Sequence, residues 1–236
     1  MNANRLLNAA ELEDSPVVAN CCMNRERDLR GSNGYEVELG FDPLEWLQGR
    51  FAGRSTVRWL DLCCGSGKAL IQAAKLCENF GGRSVQISGV DLVGIFLPNT
   101  SSGLQLVQCS VFDYQPTEQF DLITCVHGLH YLGDKLKAIE LAASWLVNDG
   151  RFVANLDAGN LCLSVSGKGH RRIVRFLREE GFEYLPAKHL LQVSGRMELT
   201  SPFKYLGADD SAGPNYTKQP VVNSYYAYEK MENGSR

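Results

Sequence analysis

No apolar run in the chain approaches the ~20 residues that a membrane-spanning helix needs. The eight cysteines include no C-x-x-C pair. Four of them form two adjacent pairs, Cys21-Cys22 and Cys63-Cys64, and neighbouring cysteines make no useful disulfide framework. The first residues, MNANRLLNAAELEDSP, are polar and acidic, without the charged flank and apolar core of a secretory signal. Internal repeats and low-complexity tracts are missing too. These absences lead to the expectation of a reduced, cytoplasmic, soluble protein with no membrane partner. A basic excess is also lacking: 24 Lys and Arg stand against 27 Asp and Glu, for a net charge of −3. Phosphate contacts need clustered cations, so nucleic acid is not the expected partner. The nearest cluster, His170-Arg171-Arg172 with Arg175 and Arg178, has helical spacing and reads as a solvated helix face.

What is present points to one large domain, or a domain with an added cap: 236 residues, 44% of them hydrophobic. Residues 1–55 read as short helical and irregular pieces, a cap or lid. LLNAAEL is helix-like, Ser15-Pro16 and Asp42-Pro43 are capped helix starts, and GSNG at 31–34 is a break. Residues 56–236 read as a core. VRWLDL, SVQISGVDL, LQLVQCSVFD, FDLITCV and RFVANLD are strands, with helices in GKALIQAAKLCENF and DKLKAIELAASWL. Strands alternating with helices imply parallel βαβ units and a doubly wound, Rossmann-like sheet. Helix HRRIVRFLREE follows. YLPAKHLLQV and YYAYEK then read as strands that add an antiparallel C-terminal edge.

The turn after the first strand, in VRWLDLCCGSGKAL, is the most informative stretch. In an open α/β sheet, ligands bind beyond the carboxyl ends of the strands. Gly65 and Gly67 allow a sharp turn and close approach of a ligand. A phosphate-binding P-loop is excluded, because Ala69 follows Gly67-Lys68 and no glycine stands five residues before Gly67. A dinucleotide turn lacks its third glycine, since position 70 is Leu. Asp61 at the strand end would repel a pyrophosphate and suits a cation such as an amino-acid ammonium. Asp91 ends the second strand about 24 residues on, near the spacing of a ribose-binding acid. Asp113 follows the third strand. Three acids after three successive strands match an ammonium, a ribose diol and an adenine amino group.

On these residues the chain resembles the class I S-adenosylmethionine-dependent methyltransferases. The resemblance spans about residues 57–157, through VRWLDLCCGSGKAL, SGVDL, CSVFDY, FDLITCVHGLHYL and LVNDGRFVANLD. It implies S-adenosyl-L-methionine as cofactor, S-adenosyl-L-homocysteine as product, and a fold of the kind already inferred. It places Asp61 and the Cys63–Gly67 turn, with Ser66, against the methionine part. Asp91, with Leu92 beside it, would hold the ribose, Phe112 and Asp113 would flank the adenine, and Cys125 would join the cofactor wall. The family usually has glycine at the Cys63 position, and a full helix where this chain has VGIFLPNTSSG. Reduced room at the turn and thin cover on that side of the sheet are the expected results.

Methyl transfer needs alignment of the acceptor, exclusion of water and, for a hydroxyl acceptor, removal of a proton. His127 and His130, in CVHGLHYL after the fourth strand, are the candidate bases, with Tyr131 beside the acceptor. The plain alternative makes His130 a packing residue and His127 a backbone contributor to the cofactor wall. A metal triplet of Cys125, His127 and His130 would need one tight turn to aim three side chains inward. Arg25 or Arg27 would pair an acceptor carboxylate, and Tyr35 would reach the cofactor's carboxylate. The alternative for the arginines is a salt-bridged surface helix. The expected function is methylation of an oxygen or nitrogen of a small-molecule acceptor, in a specialised biosynthetic pathway. An RNA or protein methyltransferase and a non-catalytic cofactor-binding protein are the competing readings. A homodimer is compatible with the sequence, which shows no interface.

Overall fold

Strand β1, Thr56–Leu62, is buried over its last four residues. That explains its unbroken apolar character: a central parallel strand is covered on both faces. The computed structural model describes residues 5–19, 26–78, 82–163 and 169–229. β1 pairs in parallel with β2 (Ser84–Asp91) on one side and β4 (Phe120–Cys125) on the other. β3 (Leu104–Gln108) lies outside β2, and β5 (Leu146–Asn155) lies outside β4, both parallel to their neighbours. β8 (Leu190–Ser194) then runs antiparallel to β5, and β7 (Glu183–Leu185) antiparallel to β8. The seven-stranded order is β3-β2-β1-β4-β5-β8-β7. This is the expected mostly parallel, doubly wound sheet with an antiparallel C-terminal edge.

Helices cover both faces. On one side, α2 (Tyr35–Leu39), α3 (Pro43–Gly49) and α4 (Lys68–Cys77) pack Leu39, Leu47 and Leu70 against Trp59, Ile87 and Val153. On the other, α5 (Lys135–Ser144) and α6 (His170–Glu179) pack Ile139, Ala142, Ile173 and Leu177 against Leu60, Ile123 and Phe152. α3 starts where the sequence signals it: the Asp42 carboxylate accepts from the Leu44 and Glu45 amides, and Pro43 stands at the first turn. The basic face of α6 is solvated, with Arg171, Arg172, Arg175 and Arg178 all exposed.

Four expectations need correction. YLPAKHLLQV is not one strand, because Pro186–Lys188 forms a 3₁₀ turn and folds it into the β7–β8 hairpin. YYAYEK does not extend the main sheet. It lies in β10 (Asn223–Tyr228), the middle strand of a separate sheet with β6 (Leu161–Leu163) and β9 (Phe203–Asp209). β9 was hidden because its second half reads as the glycine- and aspartate-rich start of a loop. The third strand stops at Gln108, since the Asp113 and Tyr114 amides turn back to the Ser110 carbonyl. Ser15-Pro16 starts only a turn over residues 15–19, and the Ser15 hydroxyl has no partner there. The rest of that expected helix, with Cys21, Cys22 and Arg25, lies outside the described residues. The link after β2 is free of helix, as expected: residues 94–100 carry no regular structure.

The first helix, α1 (Ala9–Glu13), closes on itself with a capping box between Asn8 and Glu11. It packs Leu12 against Ala208 and Val222 of the second sheet and its approach, not against α2 or α3.

The second sheet meets α5 at a buried lysine. Lys135, the first residue of α5, is fully buried, and its Nζ donates to the Leu132 carbonyl at 2.8 Å, the Val222 carbonyl at 2.8 Å and Ser224 Oγ at 2.9 Å. Burial pushes its pKa down to about 7. Lys135→Met would strand these buried carbonyls, each worth about 1–3 kcal/mol when unpartnered. We expect urea melts of that variant to show a loss of about 2–4 kcal/mol.

Candidate active site

The chain leaves β1 toward β2 on one side and arrives at β4 on the other, so the strand order reverses between β1 and β4. A crevice at such a switch point is the usual ligand site of an open α/β sheet. Here a cavity of about 500 Å³ opens at the carboxyl ends of these strands.

Its floor is the turn after β1. Gly65 (φ 59°) and Gly67 (φ 73°) adopt left-handed backbone, which glycine accepts without cost. Cys63 does so too, at φ 58°. The preference for glycine at that position in the family therefore has a physical reason, and cysteine there carries strain of about 1–2 kcal/mol. Its side chain turns toward Gly128, where an added Cβ would stand 2.4 Å from Cys63 Cβ and 2.8 Å from Cys125 Sγ. The two cysteines are thus fillers of a tight contact, and they narrow the turn without closing the cavity.

Asp61 stands directly beneath. Its side chain is fully buried, and both carboxylate oxygens are engaged. Oδ2 accepts from the Tyr35 hydroxyl at 2.7 Å, and Oδ1 accepts from the Thr124 hydroxyl. Thr124 in turn accepts from Trp59 Nε1 at 2.8 Å. Burial raises Asp61 to about 7, against the pull of those two hydrogen bonds, and nearby Asp91 adds to the rise. Asp91 ends β2 on the cavity wall, accepting from the Gly65 amide at 3.0 Å and the Val93 amide at 3.0 Å.

His127 follows β4, also left-handed at φ 59°. Its amide donates to the Asn155 side chain at the end of β5, 3.2 Å away. Its Nε2 lies 3.0 Å from Glu38 Oε2, an ion-pair distance. Glu38 Oε1 also accepts from Arg27 Nη1 at 2.8 Å. Burial works to raise Glu38, and His127 and Arg27 together outweigh it, so the carboxyl lies below its usual range.

The structure brings Tyr35, Cys63, Gly65, Asp91, Leu92, Phe112, Asp113, Arg27, His127 and Tyr131 to the cavity wall. Asp61, Ser66, Gly67, Cys125 and His130 lie behind it. Ser66 offers its carbonyl to the Leu97 amide at 2.9 Å. His130 is 1% exposed, and burial holds its pKa well below the usual imidazole range. Tyr35 reaches Asp61 and not a free position in the cavity. Arg27 is already taken by Glu38 and by Asn33 Oδ1, 2.8 Å from Nη1. Among the described residues no group of three His, Cys, Asp or Glu is placed to hold a metal. Glu38, Thr124 and Asn155 are the residues the sequence reading missed. Glu38 had one signal: it stands three residues after Tyr35 on a short helix, hence on the same face.

A methyltransferase-domain family model matches residues 42–159, half of the chain. The chain belongs to that family. It carries a methyltransferase domain. No curated protein matches it. Among solved structures, the methyltransferase is similar to the plantazolicin methyltransferase BpumL in complex with a pentazolic desmethylPZN analogue and SAH. The identity is 15%, the TM-score 0.40, and the coverage 50% of this chain and 44% of that one. It is also similar to CalS10, an amino pentose methyltransferase from Micromonospora echinaspora involved in calicheamicin biosynthesis, at 21% identity and TM-score 0.37, with 48% of each chain covered. A third is YjhP from E. coli, at 19% identity and TM-score 0.38, with 60% of this chain and 64% of that one covered. The methyltransferase thus spans less than two thirds of the length of each of these chains. None of its described helices is long and apolar enough to cross a membrane.

The cavity's chemistry suits a cationic cofactor. Its wall carries Glu13, Asp91, Asp113 and Asp134, while its two cations, Arg27 and Lys137, are paired with Glu38 and Glu140. A net negative site favours a sulfonium and an ammonium.

Asp61 gives a pH signature. Between about pH 4 and pH 7 the folded chain keeps a proton on Asp61 that the unfolded chain has lost, so stability falls as pH rises through that window. Each tenfold change in acidity is worth about 1.4 kcal/mol, which caps the loss at about 4 kcal/mol. In Asp61→Asn this part of the pH dependence should vanish, as thermal melts across that range would show.

Proposed function

We propose that this methyltransferase acts on an oxygen or nitrogen of a small-molecule acceptor, in the biosynthesis of a specialised metabolite. The observation that carries the reading is the cavity itself: about 500 Å³ and walled by α1 as well as by the strand ends, the dimensions of a small-molecule site and not of a polymer groove. The reading as an RNA methyltransferase finds no comparable support. Arg172 of the one basic helix stacks over Tyr228 at 3.4 Å, and Arg175 faces Glu179 at 3.6 Å.

When bound, S-adenosylmethionine supplies a methyl group on a sulfonium, which an acceptor lone pair displaces in line. We assign the chain's residues as follows. Asp91 accepts the ribose hydroxyls. Leu92, Phe112 and Asp113 bound the adenine. The Cys63–Gly67 turn, braced from below by Asp61, Tyr35 and Thr124, carries the methionine part. Residues 5–19 and 26–55 cover the cavity and keep water out. His127 receives the acceptor's proton. Glu38 stands against Nε2, so Nδ1 is the ring nitrogen left for the acceptor. Nδ1 has no hydrogen-bond partner among the described residues.

Two measurements test this. Calorimetric titration with S-adenosylhomocysteine should show micromolar binding, weakened at least ~30-fold (about 2 kcal/mol) by Asp91→Ala; equal affinity would remove the ribose role. A screen of amines and phenols, read by S-adenosylhomocysteine release, should find an acceptor. For a hydroxyl acceptor, His127→Gln should then lower kcat about 10²–10⁴-fold, with cofactor affinity retained. If the protein binds cofactor and no small molecule of any class accepts a methyl group, the small-molecule reading fails.

A further inference from the structure

Beyond His127, away from the cavity, lies a second cluster. His127 and His130 have ring centroids 5.3 Å apart, and the ring of Tyr216 stands 5.5 Å from His130 and 6.3 Å from His127. Tyr216 also lies flat on His189, with centroids 3.7 Å apart and planes 5° from parallel, and its hydroxyl is 3.2 Å from His130 Nε2. The histidines are fixed to the scaffold. His127 and His130 follow β4, and His189 immediately precedes β8. Tyr216 is different. It rides on the turn between β9 and β10 and is 40% exposed.

That turn is closed largely by its own bonds. Pro214 bridges to Pro220, the Asn215 carbonyl accepts from the Lys218 amide at 2.9 Å, and the Asn215 side chain accepts from the Thr217 amide at 2.9 Å. It is tied to the body through Tyr216 itself and through Gln219, which accepts from the Tyr131 hydroxyl at 3.0 Å. Two buried ring nitrogens of this cluster, His130 Nδ1 and His189 Nδ1, have no hydrogen-bond partner among the described residues. Buried polar atoms are nearly always paired. A fully buried histidine and a stacking platform with spare hydrogen-bonding capacity, covered by a half-exposed side chain on a self-contained turn, make a site for something other than that side chain.

We propose that His127, His130 and His189 form the binding site of a planar, hydroxyl-bearing aromatic acceptor, and that Tyr216 occupies it as a stand-in until the acceptor displaces it. The proposal rests on the small-molecule reading above and names its substrate class. The chemistry follows from what Tyr216 does there. Its ring supplies the flat face that stacks on His189, and its phenol supplies an anchoring hydroxyl that meets His130; the atom that takes the methyl group is a different one, on the side of the acceptor that faces His127 and the cavity. A ligand with the same two features makes the same two contacts. Tyr216 leaves by a swing of the turn, at the loss of its stack on His189, its looser ring contacts with His130 and His127, and two hydrogen bonds. The site shares His127 with the cavity wall, which places it next to the cofactor position without overlapping it.

The test uses the full chain, saturated with S-adenosylhomocysteine, and 2-naphthol as probe, with decahydro-2-naphthol as its saturated counterpart. Tyr216→Ala should bind 2-naphthol at least tenfold more tightly than wild type, and His189→Ala should lose that gain. The saturated alcohol should show no such difference. Unchanged or weaker naphthol binding in Tyr216→Ala would overturn the proposal and leave Tyr216 as a packing residue. Should Tyr216→Ala fail to fold, wild-type protein carrying fluorotyrosine decides the matter. The ¹⁹F signal that Tyr216→Phe removes should move toward an exposed environment as naphthol saturates, and a stationary signal would count against displacement. Titration of S-adenosylhomocysteine alone keeps the two readings apart. Lost cofactor binding would speak against the assignment of the cavity, and normal cofactor binding without the naphthol effect would speak against the aromatic site alone.

Discussion

A carboxyl group with no access to water sits at the centre of this molecule. Asp61 ties three elements together: β1, which carries it; β4, through Thr124; and the N-terminal cover, through Tyr35. Trp59 extends the chain by one more hydrogen bond, to Thr124. Burial outweighs these hydrogen bonds and favours the protonated carboxyl, and its directional partners admit few alternatives. The position of α2, and with it the place of Glu38, follows from that constraint.

Glu38 carries the consequence to the chemistry. It is on the same short helix as Tyr35, so the bond that fixes Tyr35 over Asp61 also sets Glu38 against His127. His127 is held from below as well, by the Asn155 side chain at the end of β5. Its left-handed backbone is a strained conformation for a residue with a side chain, and such strain persists where surrounding contacts over-determine it. Elements from the cover, β4 and β5 therefore converge on one imidazole.

The parallel core was legible because its signals are local: apolar runs of strand length, a glycine turn, and an acid at the end of each strand. The turn after β1, the Asp91 spacing and the capped start of α3 needed nothing beyond neighbouring residues. The second sheet was not legible. β10 and β9 have aromatic and polar residues that fit any edge, and only distant partners decide which sheet receives them. The same holds for function within the histidine pair. CVHGLHYL presents His127 and His130 as equals, and a 3₁₀ turn between them sends one to the cavity and buries the other. Lys135 gave no sign of burial, since a lysine beginning a helix normally faces water. Its three acceptors come largely from a strand and turn almost 90 residues further along the chain.

The missing helix after β2 has an effect on where the fold is weakest. None of the β3 residues is buried, and Ile95 in the preceding link is 63% exposed. Opening free energy follows local burial and contact density, so this edge opens well below the cost of global unfolding. Asp91, Leu92 and Val93 stand at its head. Their amides sit at the boundary between a rigid centre and a margin that breathes, and a ligand that spans this boundary would order the margin as it binds. Some of its intrinsic affinity would then be spent on that ordering, and the dissociation rate would be set in part by how often the edge lets go.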